Sequence, residues 1–167
     1  MNKEGNKKVA TLCVLKNKNR FLLLKRYNEP NKDKYVPVGG KLKYYESPKD
    51  GVIRETLEET GIIVKEPKFC GILTESSPTN YNWISYIFSN EIEYINPPIS
   101  DEGKLEWIEY DKIKKTPTPL TDHHIYQFIL QKKKFIINAE YDEDLNLLEM
   151  FEAVSYTHLT LPTKSRG

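Results

Sequence analysis

Gly40 to Ile62 reads GKLKYYESPKDGVIRETLEETGI, and the fold turns on how this stretch is read. Ser47 is a good N-cap, Pro48 suits the first helical turn and Gly61 supplies a stop, so a helix is predicted between them. At about 100° per residue, setting Glu55 to zero puts Glu59 near 40° and Glu58 near 300°, so three carboxylates share an arc of roughly 100°. Ile53, Thr56, Leu57 and Thr60 lie on the opposite side, a modest apolar stripe that can face a sheet. Arg54 precedes Glu58 by one helical turn and can pair with it or brace it.

Three clustered carboxylates repel one another and favour a compensating cation. Hard oxygen ligands on a rigid element suit Mg²⁺ or Mn²⁺, and Mg²⁺ usually completes its shell with water and substrate phosphates. A solvated acidic helix face is the competing reading. The context weighs against it: Gly39-Gly40 upstream, Glu46 beside the helix start and Gly61 at its end. With that context the segment resembles the Nudix box, G-x5-E-x7-R-E-U-x-E-E-x-G-U with U aliphatic. Gly40, Glu46, Arg54, Glu55, Glu58, Glu59, Gly61 and Ile62 fall in register, and Thr56 alone departs. Thr56 is expected to face the core, so its departure touches packing and not chemistry.

The resemblance implies an α+β fold, a Nudix-type α/β/α sandwich with a central mixed sheet and a catalytic loop–helix–loop. It makes Glu55, Glu58 and Glu59 metal ligands, with the Gly39 carbonyl as a further one. Glu46 and Arg54 would hold the carboxylates, and Gly40 and Gly61 would shape the loop. The implied reaction is attack of water on a phosphorus of a nucleoside diphosphate linked to a further group. Glu58, Glu59 or Glu102, the last in SDEGKLEW, would take the proton. The flow ATLCVL, FLLLKR, VGGKL and SDEGKLEWIEYDKI extends the likeness to MutT-type members over about residues 8–150. In that branch an acid at the place of Asp122 contacts a purine base, although Asp122 also reads as a helix cap. Val36 and Thr121 stand where one related base-recognition pattern has Asn and a second acid, so selectivity for oxidised guanine has weak support. Lys25 and Arg26 are phosphate partners or a solvated strand end. Tyr35, Tyr81 and Trp83 can stack a base or pack in the core.

Around this segment, the chain of 167 residues is long enough for one core. Lys+Arg number 25 and Asp+Glu 24, a formal charge of +1 that gives no field to draw in nucleic acid or anionic lipid. No apolar run approaches a membrane span, and the lysine-rich residues 1–8 have no apolar stretch behind them to suit a signal peptide. A cytoplasmic protein is expected, monomer or homodimer, with a small nucleotide as its partner. Cys13 and Cys70 read as free thiols; with His123 and His124 they lack the close spacing of a zinc site.

A single domain is expected over residues 9–152, after a flexible lead at 1–8. Ala153 to Thr163, AVSYTHLTLPT, resembles a translated sequencing adapter, so residues 153–167 are expected to be a non-native tail. Strands are predicted at residues 9–15 and 21–26, joined by a polar turn, then at 35–38, 69–74, 81–88 and 105–110. A second helix over 123–131 and a closing hairpin, 135–141 with 145–151, complete the pattern. A nucleoside triphosphate pyrophosphohydrolase is the leading expectation, with oxidised purines such as 8-oxo-dGTP as candidate substrates. ADP-ribose, nucleoside diphosphate sugars or dinucleotides are the alternatives within the enzyme class, and a non-catalytic nucleotide-binding module lies outside it.

Overall fold

The computed structural model describes residues 6–160. Alternating apolar residues build its centre. Strand β1 (Lys8–Asn17) and strand β2 (Arg20–Arg26) form the expected hairpin, with Lys18 left-handed at φ 52° in a tight turn. β1 is shared between neighbours. Strand β6 (Trp83–Glu91) runs parallel along one edge for its whole length. On the other edge, residues 10–13 pair antiparallel with strand β4 (Val38–Lys41), whereas residues 15–17 pair with β2. The sheet therefore forks at β1, and the fork opens a cleft between β4 and the far end of β2.

Two arms extend from this centre. Beyond β2 lie strand β3 (Tyr35–Val36) and strand β7 (Gly103–Glu109), both antiparallel to it. Beyond β6 lies strand β5 (Lys68–Ser76), antiparallel, and then strand β8 (Phe135–Tyr141), parallel to β5. Strand β9 (Leu147–Glu152) and strand β10 (Thr157–His158) close that edge in antiparallel fashion. Parallel and antiparallel pairs together make the mixed sheet that was expected. Residues after Glu152, set apart on sequence, contribute β10 and bury Leu159 against the core.

Period-2 alternation sends side chains to two faces. Val14, Phe21, Leu23 and Ile87 pack with Ile125, Tyr126 and Ile129 of helix α2 (Leu120–Leu130). Their neighbours Cys13, Leu15, Leu22 and Phe88 pack on the other face with Val52 of helix α1 (Pro48–Thr60). One helix on each face gives the α/β/α sandwich. Among the described residues no helix is long and apolar enough to cross a membrane.

Helix α1 begins and ends as expected. The Ser47 hydroxyl accepts from the Asp50 N–H at 3.1 Å, and Gly61 takes φ 72°, a conformation that favours glycine, while its N–H donates to the Leu57 carbonyl. Its buried face differs from the expected stripe. Gly51, Val52, Thr56 and Thr60 are buried, Ile53 is half-buried and Leu57 is 44% exposed. The contact side therefore keeps Thr56 and Thr60 of that stripe but is rotated toward the Glu59 edge, with Val52 in the core and Gly51 against Leu42 and Glu46. Helix α2 also departs from expectation: it starts at Leu120 with Pro119 at the cap position, so Asp122 lies inside the first turn and is no N-cap. A 3₁₀ helix at Tyr110–Lys115, unforeseen in the sequence, joins β7 to the approach to α2.

Candidate functional site

Gly39 and Gly40 form the floor of the cleft at the fork. A Cβ on Gly39 would stand 2.0 Å from the Thr11 carbonyl oxygen, and one on Gly40 would stand 2.5 Å from a Glu55 carboxylate oxygen. Only glycine lets β4 lie this close to both β1 and the helix.

Arg54 organises one side of the helix. Its Nε donates to Glu46 Oε2 at 2.6 Å and its Nη2 to Glu46 Oε1 at 2.7 Å, a bidentate pair. Nη2 also reaches the Lys41 carbonyl at 3.1 Å, while Nη1 donates to Glu55 at 2.8 Å and Glu58 at 3.2 Å. One planar cation thereby ties the loop before the helix to two of its carboxylates. These bonds, with the Lys43 N–H, hold the Glu46 carboxyl down to about 2.

Glu59 occupies a different setting. Its Oε2 accepts the Gly39 N–H at 3.3 Å. Burial, then the adjacent Glu102 carboxylate and more weakly Glu55, push its pKa up to about 8. A cleft of about 420 Å³ is lined here by Glu55, Glu59, Asp101, Glu102, Gly39 and Arg26. Of the acids singled out in the sequence, Glu55, Glu59 and Glu102 line this one cleft. Glu58 does not join them: it points outward, 56% exposed, against Arg54. Among the described residues no three His, Cys, Asp or Glu side chains are closed around one point. The donor chemistry nevertheless fits a hard divalent cation, since a buried carboxylate pressed against a second one has a single N–H as compensation and oxygen donors throughout.

The acidic cleft opens into a cavity of about 390 Å³, and Arg26, Gly39, Gly40, Glu59 and Glu102 line both. Its walls are apolar and aromatic, with Leu12, Leu24, Val36, Tyr81 and Trp83. Asp122, 6% exposed, reaches it from α2 beside Thr121, whose hydroxyl donates to Asp122 Oδ1 at 3.1 Å. Burial, and then the charge of Glu75, raise the Asp122 carboxyl to about 7. Tyr81 and Trp83 stand where stacking was expected; Tyr35 does not, since its hydroxyl donates to Glu106 at 2.5 Å. Lys25 is turned to Tyr35, with Nζ 5.9 Å from its ring, and does not line either space. Arg26 does, anchored through Nε to the Pro30 carbonyl at 2.8 Å.

Sequence reasoning missed Glu75, which lines the cavity 8% exposed. A signal existed: Gly71, Leu73 and Glu75 alternate on the inward face of β5, so the acid stands in a core position.

A family profile for the NUDIX domain matches residues 6–129, and the chain belongs to the Nudix family. More particularly, it is 33% identical over 127 residues to an uncharacterized Nudix hydrolase, YvcI, of Bacillus subtilis, covering 73% of this chain and 78% of that one. It is 25% identical over 142 residues to the oxidized purine nucleoside triphosphate hydrolase of Mus musculus, covering 84% and 91%. Over 70 residues it is 37% identical to an ADP-ribose pyrophosphatase of Methanocaldococcus jannaschii, covering 42% and 40%. The structure resembles that of a MutT protein from Bacillus halodurans with a TM-score of 0.77 and 28% identity, covering 88% of this chain and 98% of that one. The fold is therefore that of MutT-like Nudix proteins, and the chain is a Nudix hydrolase acting on pyrophosphate bonds.

Proposed function

We propose that this hydrolase uses Mg²⁺ or Mn²⁺ to cleave a nucleoside triphosphate into monophosphate and pyrophosphate, with oxidised purine nucleotides such as 8-oxo-dGTP among its substrates. One observation carries the reading: the carboxylate cleft and a base-sized, aromatic-walled cavity share the wall made by Arg26, Gly39, Gly40, Glu59 and Glu102. A nucleotide has that layout, polyphosphate at one end and planar base at the other. Likeness to the mouse enzyme along most of both chains supports the purine assignment.

Glu55 and Glu59 with the Gly39 carbonyl would hold the cation, and Glu58 would join them on release from Arg54. A divalent ion there neutralises phosphate charge and lowers the pKa of water. Arg54 and Glu46 keep the carboxylates from scattering. Arg26 faces the phosphates, and Glu102, exposed alongside Glu59, accepts the proton of the attacking water. Asp122 reads the base. The balanced composition supports a cytoplasmic enzyme working on free nucleotides as a monomer or homodimer.

The test is hydrolysis of a panel of 8-oxo-dGTP, dGTP, dATP, ADP-ribose and a dinucleotide with Mg²⁺ or Mn²⁺, following pyrophosphate and phosphate separately. Pyrophosphate release from a purine triphosphate, lost on chelation and in Glu59→Gln, is the expected result. Nucleotide binding with no turnover would identify a binding module instead, and a preference for ADP-ribose would replace the substrate.

A further inference from the structure

On the wall of the cavity the chain carries an acid that the hydrolytic reading leaves without a task. Glu75 comes from β5, and among the described residues its two side-chain partners are tyrosines: Tyr141 Oη at 2.6 Å and Tyr81 Oη at 3.3 Å. Both hydroxyls donate to the same oxygen, Oε2. Oε1 has no protein partner among the described residues, although the side chain is more than nine-tenths buried and lines the cavity. Asp122 repeats the pattern from α2: Thr121 occupies Oδ1, and Oδ2 has no partner among the described residues. A buried carboxyl without full hydrogen bonding destabilises a fold, and an aliphatic side chain would suit this inward strand position better. Two such groups on one cavity, each with an oxygen free, are the mark of a site made for donors brought by a ligand.

A carboxylate oxygen only accepts; burial raises the Glu75 carboxyl, and the two tyrosine hydroxyls that donate to Oε2 oppose that shift. The complementary ligand edge must then present adjacent N–H groups. A 2-amino-6-oxopurine does so through N1–H and the 2-amino group. Adenine and cytosine place a ring nitrogen lone pair next to their amino group, which would face a carboxylate lone pair. Tyr81 and Trp83 are on hand to stack the ring.

We propose that Glu75, braced by Tyr141 and Tyr81, is a second base-reading residue which acts with Asp122 to select purines carrying adjacent N–H donors. This rests on the assignment of the chain as a nucleotide pyrophosphohydrolase and specifies the base end of that site.

The experiment compares kcat and KM for dGTP, dITP and dATP in the wild type, Glu75→Gln and Tyr141→Phe. dITP lacks only the 2-amino group, so it isolates one donor. In the wild type dGTP is preferred over both. Loss of one charge-assisted hydrogen bond in Glu75→Gln lowers kcat/KM for dGTP by roughly ten- to hundredfold, chiefly through KM, with little change for dATP. Tyr141→Phe shifts the same ratio in the same direction to a smaller extent, and it carries the test should Glu75→Gln fail to fold by circular dichroism. Equal losses for all three nucleotides, or an unchanged ratio, overturn the role of Glu75 while hydrolysis stands. A wild type that cleaves none of the three overturns the nucleoside triphosphate assignment and this inference with it.

Discussion

Replacing Asp122 by Asn exposes the energetic cost of the base pocket. The carboxyl is 6% exposed, and burial, followed by the charge of Glu75, raises it to about 7; Thr121 and Lys34 pull weakly the other way. An unfolded Asp titrates near ~3.9. Between those values the unfolded chain gives up its proton while the folded chain keeps it, so folding loses about 1.4 kcal/mol per pH unit. The contribution is complete below the unfolded pKa and is lost as pH rises through the folded one. The accumulated penalty is roughly 1–2 kcal/mol at about pH 5 and roughly 4 kcal/mol at about pH 8, as an upper bound. Asn does not titrate, and its Oδ1 still accepts the Thr121 hydroxyl. Urea unfolding of both proteins across this range measures the difference directly, with Glu75 common to both. Asp122→Asn should gain on the wild type by about 2–3 kcal/mol between pH 5 and pH 8 while losing purine discrimination. A stability difference that stays flat with pH refutes the raised carboxyl and the view that this acid is kept at a cost.

Three further outcomes follow from the cleft. Glu59→Gln should lower kcat by at least ~100-fold and weaken Mn²⁺ uptake in calorimetric titration, because the carboxylate nearest Gly39 is removed from the site. Arg54→Lys keeps a charge but cannot form the bidentate pair with Glu46 or span to Glu55 and Glu58; a loss of about 1–2 kcal/mol in thermal or urea unfolding and a larger drop in kcat are expected. Gly39→Ala puts a methyl group 2.0 Å from the Thr11 carbonyl oxygen, so β4 must move off β1; destabilisation of about 3 kcal/mol and loss of activity should accompany each other.

The catalytic half of the molecule was legible because its information is local. Ser47, Pro48 and Gly61 bound the helix through backbone hydrogen bonding within a few residues, and the carboxylate arc follows from helical geometry alone. What that geometry could not decide is which side of the helix meets the sheet. Of the stripe read from the sequence, Thr56 and Thr60 are buried, but Leu57 is exposed and Val52 and Gly51 are buried in its stead, Gly51 against Leu42 and Glu46 of the loop before the helix. Glu58 shows the same limit from the other side: its angle is close enough to Glu55 to suggest one cluster, yet Arg54 holds it outward.

The aromatic-walled cavity is assembled from distant parts of the chain, and no window of sequence contains it. Glu75 and Tyr141 are 66 residues apart and meet through the parallel pairing of β5 with β8. That pairing is a property of topology, so the tyrosine clamp was invisible before the fold was known. The acid itself was not. In an alternating strand an inward carboxyl breaks the pattern that gives the strand its stability, and Asp122, read only as a cap or a base contact, breaks it again within a helix whose cap is Pro119. Both line the same cavity, and each has one carboxyl oxygen without a partner among the described residues. Residues that oppose folding yet converge on one space are best explained by what enters that space, so acids at core positions deserve the same scrutiny in a sequence as a metal-binding motif.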